Sequence, residues 1–210
     1  TMNTVILAAG LFPTTEHALR HLRNADFIAC CDGAANACVA AGFTPDVIVG
    51  DGDSIDEELR CRFVDRIVRI PEQETNDLTK TVNHCLRLGH KNLTLLGATG
   101  RREDHALANI ALLMDYADLL PLPLGAPPCI RMVSDFGTFY PCRDQITLSV
   151  EVGQEVSIFS FGATHFSAQG LQYPLYDFDR LWQGTLNVAT RPEVRIDARG
   201  RFCVYVALPD

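Results

Sequence analysis

The chain lacks the features that mark membrane, zinc-binding and nucleic-acid-binding proteins. Among its 210 residues, no apolar run approaches the roughly 20 residues that a membrane-spanning helix requires. It has eight cysteines, but no two of them form a Cys-x-x-Cys pair, so the spacing typical of zinc or redox sites is missing. The formal net charge of -8 argues against general nucleic-acid binding, because such binding needs a basic surface.

The composition is that of an ordinary globular protein. Hydrophobic residues make up 47% of the chain and charged residues 21%, and the length fits one large domain or two small ones. The N-terminal residues lack a basic segment and are interpreted as a first strand rather than a signal peptide. Most cysteines lie in apolar runs and are predicted to be buried free thiols, as in a reducing cytosol: Cys30, Cys31, Cys38, Cys85 and Cys203. We therefore expect a cytoplasmic protein.

Residues 1–122 alternate short apolar runs with longer amphipathic ones. The apolar runs predict strands at Val5–Ala9, Phe27–Cys31, Val47–Val49, Ile67–Ile70 and Leu93–Leu96. The amphipathic runs predict helices at Glu16–Asn24, Ala34–Ala41, Asp56–Val64, Asp77–Leu88 and His105–Leu119. Strands that are apolar throughout and separated by helices indicate a parallel sheet with helices on both faces, a Rossmann-like α/β domain.

A different pattern follows a proline-rich segment at residues 119–129, which predicts an inter-domain linker. Residues 129–210 contain short β-type runs separated by turn residues. The runs are Ile130–Val133, Thr138–Tyr140, Ile146–Val150, Val156–Phe159, Leu186–Val188, Val194–Ile196 and Phe202–Val206. Short strands without helices predict a small all-β sandwich or barrel.

Polar loops follow four of the five strands predicted in the first half. Ligands bind parallel α/β sheets at the carboxyl ends of the strands, so these loops would meet at one edge. The loops are CDGAANA with Asp32, VGDGDSI with Asp51 and Asp53, PEQETNDLTK with Gln73, Asp77 and Lys80, and GATGRREDH with Gly97, Thr99, Gly100, Arg102, Asp104 and His105.

Each loop alone also has an ordinary structural explanation. Asp32, Asn76 and Asp77 stand where helix caps or first-turn acids belong. Gly97–Gly100 is explained as a tight turn, because the P-loop pattern GxxxxGK[ST] is absent. Taken singly, the loops therefore leave a structural role and a binding role open.

Taken together, the loops favour a phosphate-handling enzyme. Several carboxylates in one cleft would repel one another unless a cation lay between them, and Mg²⁺ prefers such oxygen ligands. The arginines and backbone N–H groups of GATGRREDH are suited to polyphosphate. Acids beside a phosphate-binding loop indicate metal-assisted phosphoryl-type transfer.

The ordered set CDGAAN, PDVIVGDGDSI, QETNDLTK and GATGRREDHALANI resembles the thiamine pyrophosphokinase family. The corresponding family blocks are approximately DGGAN, PDxIxGDFDS, QDxTDxxK and GxxGGRxDHxLxN. Later stretches, GLQYPL and GTLNVAT followed by VRIDARGRFCVYV, are similar to the family's β-domain. The resemblance covers most of the chain and implies transfer of the β,γ-pyrophosphoryl group of ATP to the hydroxyethyl oxygen of thiamine, giving thiamine diphosphate and AMP.

The resemblance also implies residue roles around the metal and the acceptor. Asp51 and Asp53 would bind Mg²⁺ that bridges the triphosphate, with Asp77 close to the same ion. Asp32 would lie beside the triphosphate, and Gln73 would help to position the reacting groups. Asp77 is the candidate acceptor of the thiamine hydroxyl proton.

The nucleotide would be bound by the loop after the fifth predicted strand. Arg102 and Asp104 would bind ATP near the Gly97–Gly100 turn. Thr99 and His105 belong to the same predicted set of nucleotide-binding residues. Lys80, one helical turn beyond Asp77, would neutralise phosphate charge or pair with that acid.

Several positions depart from the family pattern. Gly52 stands where an aromatic residue is usual, Arg101 replaces a glycine, and Glu74 and Asn76 replace Asp and Thr. The Ser-Thr-Ser-Asn run associated with thiamine at a dimer interface is here Val188–Arg191, so Thr190 inherits the thiamine contact only weakly. Trp182 is interpreted either as stacking on thiamine across that interface or as part of the β-domain core. The resemblance implies a homodimer, and neither nucleic acid nor membrane is an expected partner.

The residues also suggest two other functions. An Asp-x-Asp loop after a strand also binds metal in nucleotide-sugar transferases, but that function leaves the Gln73–Asp77 and Gly97–His105 motifs unexplained. A non-catalytic nucleotide-binding module would be expected to have lost a metal-binding acid, and Asp51, Asp53 and Asp77 are all present.

Overall fold

The structure is a computed structural model that describes residues 1–121 and 125–209. These residues form two compact units, Thr1–Leu112 with Met132–Asp135, and Leu113–Arg131 with Phe136–Asp210. The predicted linker at 119–129 lies partly outside the described residues, since 122–124 are not described. The domain boundaries drawn from the sequence stay predictions. Within the described residues, no helix is long and apolar enough to cross a membrane.

The first unit is built on parallel strands, as the apolar runs predict. The strands are β1 (Thr4–Leu7), β2 (Phe27–Cys31), β3 (Val47–Gly50), β4 (Ile67–Arg69) and β5 (Leu93–Leu96), together with the larger part of β6 (Ile130–Ser134). They lie in the order β6-β5-β1-β2-β3-β4, and β1, β2, β3, β4 and β5 pair in parallel. Because parallel strands point the same way, the loops that follow them emerge at one edge.

β6 pairs with a strand that the sequence grouping does not suggest. The run at Ile130–Val133 follows the proline-rich segment and was grouped with the later strands, yet β6 lies beside β5. An apolar run carries no information about which strand it pairs with, so the sequence does not indicate the pairing with β5.

Five helices alternate with these strands. They are α1 (Glu16–Arg23), α2 (Ala34–Ala40), α3 (Glu57–Arg62), α4 (Asp77–Arg87) and α5 (Glu103–Ala117). α1 begins at its N-cap Thr15, whose side chain accepts from the Ala18 N–H. α5 begins two residues before the predicted His105, since its first acids, Glu103 and Asp104, already lie within the first turn.

The start of α1 is held from a distant part of the chain. Asp135, just beyond β6, accepts hydrogen bonds from the backbone N–H and the hydroxyl groups of both Thr14 and Thr15, at 2.8–3.0 Å. These bonds tie the loop between β1 and α1 to the end of β6.

The core of the first unit follows strand alternation. Val5, Leu7, Ile28, Cys30 and Ile48 are buried in one cluster, and each pair of neighbours in register contributes to the same face. The cluster also takes residues from α1, from α2 and from the two ends of the segment that contains α3: Ala18, Leu22, Ala34, Ala35, Cys38, Ile55 and Phe63. Successive strand residues face opposite sides, so Cys31 faces away from this cluster, towards Thr81 of α4.

The second unit is antiparallel. Its strands are β7 (Gly137–Ser149), β8 (Glu155–Ser160), β9 (Thr164–Gln169), β10 (Asn187–Val188) and β11 (Glu193–Ala207). β11 pairs with β7 along its length, with β9 through its first half and with β8 through its second. One buried cluster fills this unit and includes Ile146, Ile158, Ile196 and Phe202.

Strand lengths in the second unit differ from the sequence prediction. β7 and β11 were each predicted as two short strands, because Asp144-Gln145 and Arg199-Gly200 resemble turn signals. In β11 the break is a bulge between Asp197 and Arg201, where Gly200 has a φ of +107°. β9 was not predicted, because only Phe166 of its six residues is buried, and so the run lacks apolar alternation.

All eight cysteines are free thiols, and six are buried. The five predicted to be buried are among the six, and Cys142 is the other. Burial raises the pKa of the Cys31 and Cys85 thiols to about 12, so these groups stay protonated near neutral pH. Cys61 on α3 is exposed.

We expect a thiol reagent at pH 8 to label Cys61 first in the folded protein, because the reagent needs an accessible thiolate. Mass spectrometry of digested, pulse-labelled protein measures the order. The Cys61→Ser variant is the control and should lose the fast phase. Equally fast labelling of Cys31 or Cys85 in the absence of denaturant would contradict the burial described above.

Candidate active site

Asp32 is the residue on which the acid-rich loop depends. It follows β2 directly, is 3% exposed and has a φ of +40°. Its Oδ1 accepts the Gly52 N–H at 2.9 Å and its Oδ2 accepts the Ser54 N–H at 3.1 Å. Both carboxylate oxygens therefore hold the VGDGDSI loop that follows β3.

Glycines allow this close approach. A Cβ at Gly50 would lie 2.7 Å from the Asp32 Cβ, and one at Gly33 would lie 2.8 Å from the Ser54 Cβ. Such distances do not occur between real side chains, so both positions require glycine for the two loops to meet.

The acid-rich loop itself is a tight turn. The Asp53 N–H donates to Asp51 Oδ1 at 3.0 Å, which leaves Asp51 half-buried and Asp53 exposed. Gly52 has a φ of +84°, a conformation that suits glycine. The space a side chain at Gly52 would enter is bordered by the Arg69 guanidinium, 3.7 Å from the position of a Cβ.

Asp77 stands beside the same acids at the start of α4. Burial raises the pKa of its carboxyl group, the nearby carboxylates of Asp32 and Asp51 raise it further, and Lys80 opposes them. Lys80 Nζ lies 3.5 Å from Asp77 Oδ1, and the Lys80 side chain is 4% exposed. Asp32, Asp51, Asp77 and Lys80 thus lie within electrostatic reach of one another.

The loop after β5 is held against the loop after β1. Gly10 N–H donates to the Gly97 carbonyl at 2.7 Å, and Leu11 N–H donates to the Thr99 carbonyl at 2.9 Å. Gly97 and Gly100 have φ values of +65° and +91°, so the turn needs glycine at both ends. The loop at residues 8–11 was not predicted as part of the site; its small residues after a strand, Ala-Ala-Gly, were the available signal.

Arg102 and Asp104 form an exposed ion pair. Arg102 Nη2 donates to Asp104 Oδ2 at 2.6 Å and its Nε donates to Oδ1 at 3.1 Å. The hydrogen bond from Arg102 is the main cause that lowers the pKa of Asp104 to about 2, with help from the His105 N–H. The pair fixes the guanidinium beside the turn without burying it.

These loops surround a cavity of about 600 Å³. Five of the site residues predicted from the sequence line it: Asp32, Asp77, Thr99, Arg102 and His105. The cavity is also lined by Arg101, Ser54, Asn76 and Asn109, of which Ser54 and Asn109 were missed. Asn109 follows His105 by one helical turn on α5, a spacing that could have indicated it.

Other predicted residues lie elsewhere. Gln73 is exposed, and its amide donates to the carbonyl of Pro71 within its own loop at 3.3 Å. Trp182 and Thr190 belong to the second unit, where both are exposed. Trp182 is 69% exposed, so its interpretation as a core residue is wrong.

Comparison with known proteins gives one family. A family model described as thiamin pyrophosphokinase, catalytic domain, matches residues 18–120, and one described as thiamin pyrophosphokinase, substrate-binding domain, matches residues 137–205. Thiamin pyrophosphokinase 1 of Caenorhabditis elegans is 30% identical over 80 residues, which are 35% of this chain and 32% of that protein. The match thus spans about a third of this curated relative's length.

Solved structures share the fold. A thiamin pyrophosphokinase family protein from Enterococcus faecalis has a TM-score of 0.79 at 18% identity, covering 99% of this chain and 100% of the other. Thiamin pyrophosphokinase from Candida albicans has a TM-score of 0.81 at 16% identity, covering 98% and 90%. One from Geobacillus thermodenitrificans has a TM-score of 0.78 at 22% identity, covering 99% and 97%.

We expect Asp32→Ala to lower the free energy of unfolding by roughly 1–3 kcal/mol, because it leaves the N–H groups of Gly52 and Ser54 without their acceptor. Urea denaturation measures the change. Asp32→Gly separates this loss from the strain of alanine at positive φ and should remain destabilised. Asp53→Ala, at an exposed acid of the same loop, is the control and should stay within about 0.5 kcal/mol of wild type. A wild-type midpoint for Asp32→Gly would contradict the role of Asp32.

Proposed function

The chain belongs to the thiamin pyrophosphokinase family, and from this premise we propose that it transfers the pyrophosphoryl group of ATP to the hydroxyethyl oxygen of thiamine. One observation carries the proposal: the Asp77 carboxylate and the glycine-rich turn after β5 border one cavity. An acid that can take a proton and a loop suited to phosphate therefore face the same space.

The nucleotide end of the cavity is supported by the residues of the turn. The Gly97–Gly100 loop would pack against the triphosphate, with Arg101 and Arg102 as its local positive charge. Asp104 keeps the Arg102 guanidinium oriented through two hydrogen bonds, and a preorganised guanidinium binds phosphate oxygens well. The net charge of the protein is -8, so it needs local positive charge of this kind to bind a polyanion.

A divalent cation fits the acids by the chemistry of their donors. No three His, Cys, Asp or Glu side chains converge within the described residues, but Mg²⁺ commonly takes one or two carboxylates together with phosphate oxygens and water. One or two of Asp51, Asp53 and Asp77 would hold it together with phosphate oxygens, whereas both Asp32 oxygens already accept N–H groups. The bound ion would neutralise charge on the triphosphate.

The chemical step needs a proton acceptor near the thiamine hydroxyl. The hydroxyl oxygen attacks the β-phosphorus of ATP, the bond from that phosphorus to the oxygen shared with the α-phosphorus breaks, and AMP leaves. Asp77 is the proposed acceptor of the hydroxyl proton, because it lines the cavity together with the turn after β5 and burial raises the pKa of its carboxyl group. Lys80, at 3.5 Å, would stabilise the carboxylate before it takes the proton.

The finer features of the protein follow the family resemblance. The α/β residues 1–122, which are Rossmann-like, would bind ATP and Mg²⁺. The β residues 129–210, a sandwich or barrel, would contribute Trp182 and Thr190 to a thiamine site near the interface of a cytoplasmic homodimer. The exposure of both residues is compatible with a ligand that reaches them from outside this unit.

We expect wild-type protein with ATP, Mg²⁺ and thiamine to form AMP and thiamine diphosphate, and Asp53→Asn to lower turnover by more than about 100-fold. The amide keeps the shape but removes charge from the metal site, and loss of even a metal's outer partners costs roughly 10–100-fold. Chromatographic separation of the products measures both rates.

The matched control is Glu58→Gln on the exposed face of α3, which makes the same change of charge and should keep wild-type turnover. Formation of ADP and thiamine monophosphate by the wild type would contradict the proposed reaction. Unchanged turnover in Asp53→Asn would remove Asp53 from the site.

We expect thiamine to quench the fluorescence of Trp182, the single tryptophan of the sequence, because an exposed indole would stack on the thiamine ring. Trp182→Ala should raise the KM for thiamine about fivefold or more, as aromatic stacking on a heterocycle is worth roughly 1–3 kcal/mol. The KM for ATP and the urea midpoint should not change. The KM of Trp182→Phe for thiamine should lie between those of the wild type and Trp182→Ala. An equal rise in the KM values for thiamine and ATP would argue against stacking.

A further inference from the structure

Asn109 of α5 joins two walls of the cavity. Its side-chain Nδ2 donates to the carbonyl of Ala98 at 2.8 Å, and its Oδ1 accepts from Asn76 Nδ2 at 3.1 Å. Asn109 is 9% exposed and Ala98 is 4% exposed. This amide therefore bridges the loop after β5 and the start of α4.

The direction of each bond is set by the backbone groups at the two ends. The carbonyl of Ala98 can only accept, so Asn109 must present its Nδ2 to it and its Oδ1 to Asn76. At the other end, Asn76 Oδ1 accepts the Thr79 N–H at 2.9 Å as the N-cap of α4, so Asn76 must present its Nδ2 to Asn109. The two amides form a chain with one direction, from Thr79 N–H to Ala98 C=O, and neither amide can flip without losing a bond.

The chain of amides connects the two functional parts of the cavity. Asp77 is the residue directly after Asn76, and Ala98 lies inside the Gly97–Gly100 turn. A shift of Asn109 would therefore move the proton acceptor relative to the phosphate loop. Misplacement of reacting groups by about 1 Å can cost on the order of 100-fold in rate.

We propose that Asn109 is a positioning residue that sets the separation between Asp77 and the Gly97–Gly100 turn for pyrophosphoryl transfer. The inference rests on the proposed function and deepens it. Asn109 acts through its hydrogen bonds with Asn76 and Ala98, each of which has a fixed direction. It does not itself contact the group that is transferred.

Two variants interrupt this series of hydrogen bonds at different points. Asn109→Ala removes both bonds, whereas Asn76→Ser keeps an N-cap, because serine caps helices about as well as asparagine, but its side chain is one bond too short to replace Nδ2. Each variant should lower kcat about 10- to 100-fold, while the KM values for ATP and thiamine change less than threefold. The double variant should be no slower than Asn109→Ala alone, since both changes break one chain.

The matched control is Asn92→Asp, which disrupts another amide pair, Asn92 Nδ2 to Asn3 Oδ1 at 2.7 Å, next to the opposite ends of β5 and β1. It should retain wild-type kcat per folded molecule. Turnover is normalised to the folded fraction from urea denaturation, so a purely structural role for Asn109 would show as fewer folded molecules with unchanged kcat. If Asn109→Ala does not fold, the comparison of Asn76→Ser with Asn92→Asp decides.

Amide hydrogen exchange of residues 97–100 gives a readout that does not depend on activity. Faster exchange in both Asn109→Ala and Asn76→Ser, but not in Asn92→Asp, supports the positioning role. This holds even if the wild type proves inactive with thiamine, because that inactivity would overturn only the proposed function. Wild-type kcat and exchange in Asn76→Ser overturn the positioning role. A raised KM for ATP at unchanged kcat also overturns it, because Asn109 would then contact the nucleotide directly.

Discussion

The carboxylate of Asp32 is the constraint on which the candidate site depends. A parallel sheet brings strand ends to one edge, but it does not fix the loops beyond them. Asp32 does so for two neighbouring strands, because each of its oxygens accepts a backbone N–H from the loop after β3. The aspartate adopts a φ of +40° to make these bonds, and the glycine at position 50 leaves room for its side chain. The charges of Asp51 and Asp77 then lie close enough to affect each other.

Hydrogen bonds also fix neighbouring loops on the other side of the cavity. There the loops after β1 and β5 are joined by backbone hydrogen bonds, and Gly10 and Gly97 permit the approach. Asn109 connects this pair of loops to α4. Each wall of the cavity is thus held by groups that bind no ligand in the proposed reaction, and the ligand-binding groups stay accessible. Arg102 with Asp104 and Asp53 in its turn are exposed, as residues that must meet a substrate need to be.

The sequence predicted the elements whose signals are local. β2 and β5 have the predicted bounds, because apolar runs mark them, and α1, α2 and α4 begin at the predicted residues. Side-chain caps mark α1 and α4, whereas α2 begins after Gly33 without one. The missed features depend on contacts between distant residues. The run that forms β6 gave no sign of its pairing with β5, β9 lacks apolar alternation, and the role of Asn109 depends on a carbonyl eleven residues earlier in the chain. Helix capping was a correct explanation for Asn76, but it did not indicate that the same side chain also donates to Asn109.

The bonds between Asp135 and the two threonines before α1 bear on the order in which the protein becomes structured during synthesis. The loop between β1 and α1, which borders the cavity, is anchored by a residue that the ribosome adds about 120 positions later. A nascent chain that ends after β5 has the parallel strands β1 to β5 but not this anchor. The first unit therefore cannot complete itself as an N-terminal fragment, and it must wait until the chain has passed through the proline-rich segment and returned with β6. Truncation at the apparent domain boundary would remove part of the first unit's own structure.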